Sequence, residues 1–108
     1  MLPKHLRLPA RQIPIIAYKG QKIDGKFIAV RFLADETLAN PLFAITVSTK
    51  ASKSAVERNR IRRIIKPAIE KLVENNKVKK GKYLILIRTA DSNENEVGLL
   101  QELEKMIS

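Results

Sequence analysis

The segment SKSAVERNRIRRIIKPAIEKL, residues 52–72, constrains the possible folds of this chain more than any other stretch. Projected at about 100° per residue, Ile61, Ile64, Ile65, Ala68, Ile69, Leu72 and Val73 form one continuous apolar stripe. Such a stripe predicts a helix that buries one half of its surface against another layer. On the opposite half lie Asn59, Arg60, Arg62, Arg63 and Lys66, with Arg58 at the stripe's edge in the first turn. Pro67 falls inside the pattern, where it removes a backbone hydrogen bond and predicts a kink, but it projects toward the polar side and spares the stripe.

The polar half is unusual for a solvated helix. Arg58 and Arg62 repel at i,i+4 spacing, as do Arg62 and Lys66, and each such pair costs about 0.2–0.5 kcal/mol. Glu57 offsets only part of this, and Glu70 lies a turn further on. The repulsion turns favourable when a polyanion lies across the face. Guanidinium groups suit phosphate oxygens because their planar forks donate two parallel hydrogen bonds. Asn59 is suited to a neighbouring main-chain group, or to a ribose or base edge.

Other segments supply the layer this helix needs. Pro3 and Pro9 make the first nine residues read as an extended arm. A short apolar helix follows from Ile13, with Pro14 in its first turn and Gly20 ending it. KFIAVRFL, residues 26–33, reads as a strand with Ile28, Val30 and Phe32 on one face and Phe27, Ala29, Arg31 and Leu33 on the other. LFAITVS, residues 42–48, reads as a second strand. Tyr83 to Arg88 reads as a third, whose lack of alternation indicates burial on both faces or a central position. A final helix near Glu96 places Leu100, Leu103 and Ile107 at helical spacing. At 108 residues this amounts to one domain, residues 1–108.

Charge narrows the partners. The net charge is +10, and residues 1–88 carry twenty Lys and Arg against six Asp and Glu, while residues 91–108 carry one Lys against five acids. A domain this basic attracts polyanions through its summed field. No cysteine is present, no apolar run approaches the ~18 residues of a membrane span, and the start of the chain does not resemble a signal peptide, so a cytoplasmic location is expected. The sole histidine, His5, lies in the arm; Glu96 reads as a helix-start charge and Glu102 and Glu104 as a solvated face. No phosphate loop or metal-ligand spacing appears. No catalytic residue and no protein metal site is therefore expected. A DNA-binding helix-turn-helix needs a second helix where LFAITVSTK reads as strand, so DNA is not an expected partner.

The stretch ITVSTKASKSAVERNRIRRIIKPAI, residues 45–69, with its Arg58-Asn59-Arg60 triplet, resembles the protein component of bacterial ribonuclease P. MLPKHLRL at the start, the helix ended by YKG, and KKGKYLILIR before the last helix extend the resemblance over essentially the whole chain. It implies an α+β fold in helix-strands-helix-strand-helix order around one mixed sheet, with a left-handed crossover through the arginine-rich helix, against the usual right-handed rule. It implies the protein subunit of an endoribonuclease that removes the 5′ leader of precursor tRNA, with a catalytic RNA holding Mg2+ and the protein inactive alone. Ser48, Lys50, Lys53, Arg58, Asn59, Arg60, Arg62, Arg63 and Lys66 are the residues expected to meet that RNA, in a 1:1 complex.

The resemblance also implies a cleft between the first helix and the sheet that receives the single-stranded leader. Aligned on Gly20, this sequence has Ile13, Ala17 and Arg31 where relatives usually carry aromatic side chains, whose stacking on bases contributes about 1–3 kcal/mol each. Leader contact is expected from Ile13, Ala17, Lys19, Phe27 and Arg31, with charge replacing stacking. The alternative from composition alone is a structural RNA-binding domain of ribosomal-protein type.

Overall fold

In a computed structural model, described over residues 2–48, 55–88 and 96–107, the apolar stripe meets a four-stranded sheet. Two 3-10 turns, Lys4–Leu6 and Ala10–Gln12, precede α1 (Ile13–Lys19). Then come β1 (Gln21–Asp24), β2 (Ile28–Ala34), β3 (Leu42–Val47), α2 (Ala55–Glu74), β4 (Gly81–Ile87) and α3 (Glu96–Ile107). The strand order is β1-β2-β4-β3: β1 and β4 run antiparallel to β2, and β3 runs parallel to β4. The β3–α2–β4 unit is therefore a helical crossover between neighbouring parallel strands, and the α+β order matches the expectation.

Register sorts the sheet into two faces. Val30 pairs with Ile85 and Ile85 with Ile45, so these share one face with Ile28, Ile87 and Val47. That face is covered by Ile61, Ile65, Ile69 and Leu72 of α2 and by Leu99, Leu103 and Ile107 of α3, all of them buried. Tyr83 lies between Phe32 and Phe43, with ring centroids 4.7 and 5.0 Å away, tying three strands together. Its hydroxyl donates to the Lys79 carbonyl at 2.7 Å, and burial raises its pKa to about 12. The central position expected for the third strand is found, although burial along it alternates. The opposite face, with Ala29, Arg31 and Leu84, looks toward α1, whose Ile16 is 1% exposed.

Three sequence expectations are corrected, and one strand joins those expected. The arm is docked and not extended: Leu2, Leu6 and Leu8 are buried, and Leu8 N–H donates to the Phe43 carbonyl at 2.9 Å. β1 was not legible, since QKID has no apolar alternation; it exists because the chain turns back at Gly25, whose N–H donates to the Ile28 carbonyl, and pairs with β2. In α3, Leu99 takes the buried position expected of Leu100, giving spacing of four residues with Leu103 and Ile107. Glu102 is not a solvated carboxylate: its Oε1 accepts from the N–H groups of both Phe27 and Ile28 at 2.9 Å. The segment before α3 with its expected capping residues, 91–95, lies outside the described residues.

α2 is continuous through Pro67, which is exposed. Its end is closed by Asn76 at φ 55°, with Asn76 N–H bonded to the Val73 carbonyl and Lys77 N–H to the Leu72 carbonyl. This pair of bonds is a Schellman cap in which asparagine takes the left-handed position that glycine usually fills. The buried stripe and the closed end fix the helix, and so fix which side its arginines face.

Candidate nucleic-acid interface

Because Ile61, Ile65 and Ile69 are fully buried, the other side of α2 is held outward. Asn59, Arg60 and Arg63 are exposed, while Arg58, Arg62 and Lys66 are half-buried. Arg62 Nη1 donates to Asn59 Oδ1 at 3.2 Å, so Asn59 steers a guanidinium three residues on and leaves its own amide nitrogen outward. Glu57 and Arg58 are both engaged by neighbours.

Three of the protein's carboxylates pair with cations away from the α2 face. Ion pairs among the described residues join Asp24 to Lys22 (3.7 Å) and to Arg88 (2.8 Å), Asp35 to Lys82 (4.0 Å), and Glu104 to Lys77 (4.0 Å). Asp35 also accepts from the hydroxyl and the N–H of Thr37, which lower its pKa, with Lys82 adding a smaller charge effect. Among the described residues none of these pairs reaches Arg60, Arg62, Arg63 or Lys66. Arg60, Arg62, Arg63 and Lys66 thus form an outward cluster with no carboxylate partner among the described residues, the arrangement that phosphates neutralise. Ser48 leaves β3 toward it, its N–H held by the Ile87 carbonyl at 3.0 Å; Lys50 and Lys53 lie outside the described residues.

One cation joins this face unannounced by sequence. Arg7 of the docked arm lines a groove of about 230 Å3 together with Arg62 and Lys66 of α2 and with Phe43, Ala44 and Ile45 of β3. Its Nε donates to the Leu2 carbonyl at 3.2 Å. The signal available was the leucine pattern around it, Leu2, Leu6 and Leu8, which docks the arm beside α2.

The second predicted surface is assembled in part. α1 brings Ile13 half-buried and Ala17 and Lys19 exposed, and Tyr18 stands 87% exposed on the outer side. Arg31 is half-buried on the strand that α1 crosses. Gly20 permits this contact, since a Cβ there would meet the Ile16 carbonyl at 2.5 Å and the Arg31 Cβ at 3.3 Å. Phe27 does not belong: it is 5% exposed, packed in the core, and unavailable for stacking on a base. The strand alternation misplaced it because β2 begins only at Ile28.

His5 is exposed in the arm, and among the described residues no three histidines or carboxylates gather as a metal site. Among the same residues no helix is long and apolar enough to cross a membrane.

The family model of ribonuclease P matches residues 2–108. A ribonuclease P protein component from Rippkaea orientalis is 35% identical, the alignment covering 98% of this chain and 87% of the relative. One from Prochlorococcus marinus is 31% identical over 98% of this chain and 92% of the relative. Among solved structures, a Staphylococcus aureus RNase P protein mutant superposes with a TM-score of 0.81 at 20% identity, covering 94% of this chain and 85% of that one. The Thermotoga maritima RNase P protein does so at 0.79 and 20% identity, covering 94% and 96%. These structures share the fold, and the family match disfavours the ribosomal-type alternative.

Proposed function

The chain belongs to the ribonuclease P protein family and has that family's role as the protein subunit in tRNA 5′ processing, and we propose that it does this by two contacts with RNA. Arg58, Arg60, Arg62, Arg63 and Lys66, with Asn59, Ser48, Lys50 and Lys53, dock on a catalytic RNA subunit. The α1 face with Ile13, Ala17, Lys19 and Arg31 holds the 5′ leader of the precursor. The observation that carries this reading is the arginine face of α2, fixed by buried isoleucines and left without carboxylate partners among the described residues at Arg60, Arg62, Arg63 and Lys66.

In this reading the hydrolytic chemistry belongs to the RNA and the Mg2+ it carries. The protein's side chains position and neutralise. Cations across the RNA backbone reduce phosphate repulsion, so less divalent ion is needed to hold the active fold. At the leader, Arg31 and Lys19 offer charge in place of the usual aromatic positions, which makes leader contact depend more on phosphates and tolerate base changes. Phe27 has no part in it.

The test is cleavage of a precursor tRNA by the cognate catalytic RNA at low magnesium, with and without the protein, beside a protein-only control. The reading expects cleavage with RNA to rise on adding protein, and none with protein alone. No stimulation, or cleavage by the RNA-free protein, contradicts it.

A further inference from the structure

β3 is an edge strand, and its outer edge is only partly covered. The arm pairs with it through the isolated bridge Arg7↔Phe43, where Leu8 N–H donates to the Phe43 carbonyl. Main-chain groups of a strand alternate in direction. Ser48 N–H points inward to Ile87 of β4, so even-numbered residues of β3 face β4 and odd-numbered ones face out. Ile45 therefore directs its N–H and C=O to the open edge, two residues past the point where the arm's pairing ends.

That edge is a wall of the groove described above. Leu2 and Leu8 supply apolar surface, and Arg7, Arg62 and Lys66 supply charge; among the described residues no carboxylate lines it. The volume, about 230 Å3, falls below the ~300–1,000 Å3 of cofactor sites and suits one planar ring system.

We propose that this groove takes a single unpaired nucleotide of RNA, its base hydrogen-bonded to the Ile45 N–H and C=O and its phosphate held by Arg7, Arg62 and Lys66. This deepens the RNA-docking reading of α2 and rests on it. Every nucleobase presents an adjacent donor and acceptor on its pairing edge, which is the complement of a strand-edge N–H and C=O. The Arg62 guanidinium, oriented by Asn59, offers a plane on which the ring also stacks. An extended peptide would satisfy the same edge, but the three cations, with no acid among the described lining residues, favour a polyanion.

The experiment is a nuclear magnetic resonance titration of the 15N-labelled full chain with adenosine 5′-monophosphate, with ribose 5-phosphate and with a neutral extended peptide. The Ile45 amide is followed, with the inward-facing Ala44 amide as internal reference. The nucleotide is expected to shift the Ile45 amide and leave Ala44 nearly still. Ribose 5-phosphate is expected to move the groove's cations without moving Ile45. Arg62→Gln is expected to weaken the nucleotide response about tenfold, and Lys105→Gln on α3 to leave it unchanged. A response equal for ribose 5-phosphate, or an Ile45 shift with the peptide and none with the nucleotide, overturns the proposal. Binding of the catalytic RNA to the same preparation separates the two failures: if RNA binds and Ile45 stays silent to the nucleotide, the groove assignment fails while the role of α2 stands.

Discussion

Replacing Glu102 by alanine probes a connection that no sequence pattern announced. Its Oε1 accepts two hydrogen bonds at 2.9 Å from Phe27 and Ile28, residues that are 5% and 0% exposed. Removing the carboxylate strands both donors where water reaches them poorly. Each unsatisfied main-chain group costs about 1–3 kcal/mol, and the partly buried setting selects the lower half, so Glu102→Ala is expected to lose about 2–4 kcal/mol. Gly25 belongs to the same arrangement, since a Cβ there would collide with Oε1. Against a total of about 5–15 kcal/mol, this is a large share of the domain's stability. Glu102→Gln keeps an acceptor and loses only the charge assistance, about 1 kcal/mol. Urea unfolding followed by circular dichroism reads both, with the midpoint for the alanine variant falling by about 1 M or more. An alanine variant within 0.5 kcal/mol of the parent, or a glutamine variant equally damaged, would refute the assignment of these two bonds.

Three further outcomes follow from the core and from α2. Burial raises the Tyr83 pKa to about 12, so the folded state holds a proton that the unfolded state releases near pH 10. Stability from this group is intact below pH 10 and falls by about 1.4 kcal/mol per unit toward pH 12, a slope that Tyr83→Phe should remove in pH-dependent unfolding. Pro67→Ala restores a main-chain donor in the middle of α2 and is expected to raise stability by about 1–3 kcal/mol in thermal melts; a loss would mean the proline fits this helix better than alanine. Leu6→Ala is expected to cost about 2–5 kcal/mol because Leu6 is 2% exposed in the main core, and a change near zero would mean that the arm only rests on the surface.

The fold was legible wherever one element carried its own pattern. α1 stops at Gly20 as the sequence indicates, and the stripe of α2 places its isoleucines inward and its arginines outward. What escaped reading depended on partners distant in sequence. β1 has four exposed, mostly polar residues and is a strand only by pairing with β2. Glu102 looks like any helix-surface acid until the strand start 74 residues earlier is brought against it. The same division holds at the candidate site. The arginine face follows from helical periodicity, whereas the contribution of Arg7 requires the arm's leucines to dock on β3. Phe27 was misassigned because alternation was extended one residue past the true start of the strand.

The central claim is that the α2 cations exist to neutralise RNA phosphates. Its most direct measurement is the salt dependence of binding to the cognate catalytic RNA for the folded chain and for Arg60→Ala/Arg63→Ala, two exposed positions whose loss leaves the core untouched. With about five phosphates engaged, log affinity is expected to fall against log salt with a slope of about −3.5 to −4.5. The double variant should be shallower by about 1.4–1.8. A slope near zero, or one unchanged when both arginines are removed from a folded protein, would contradict it.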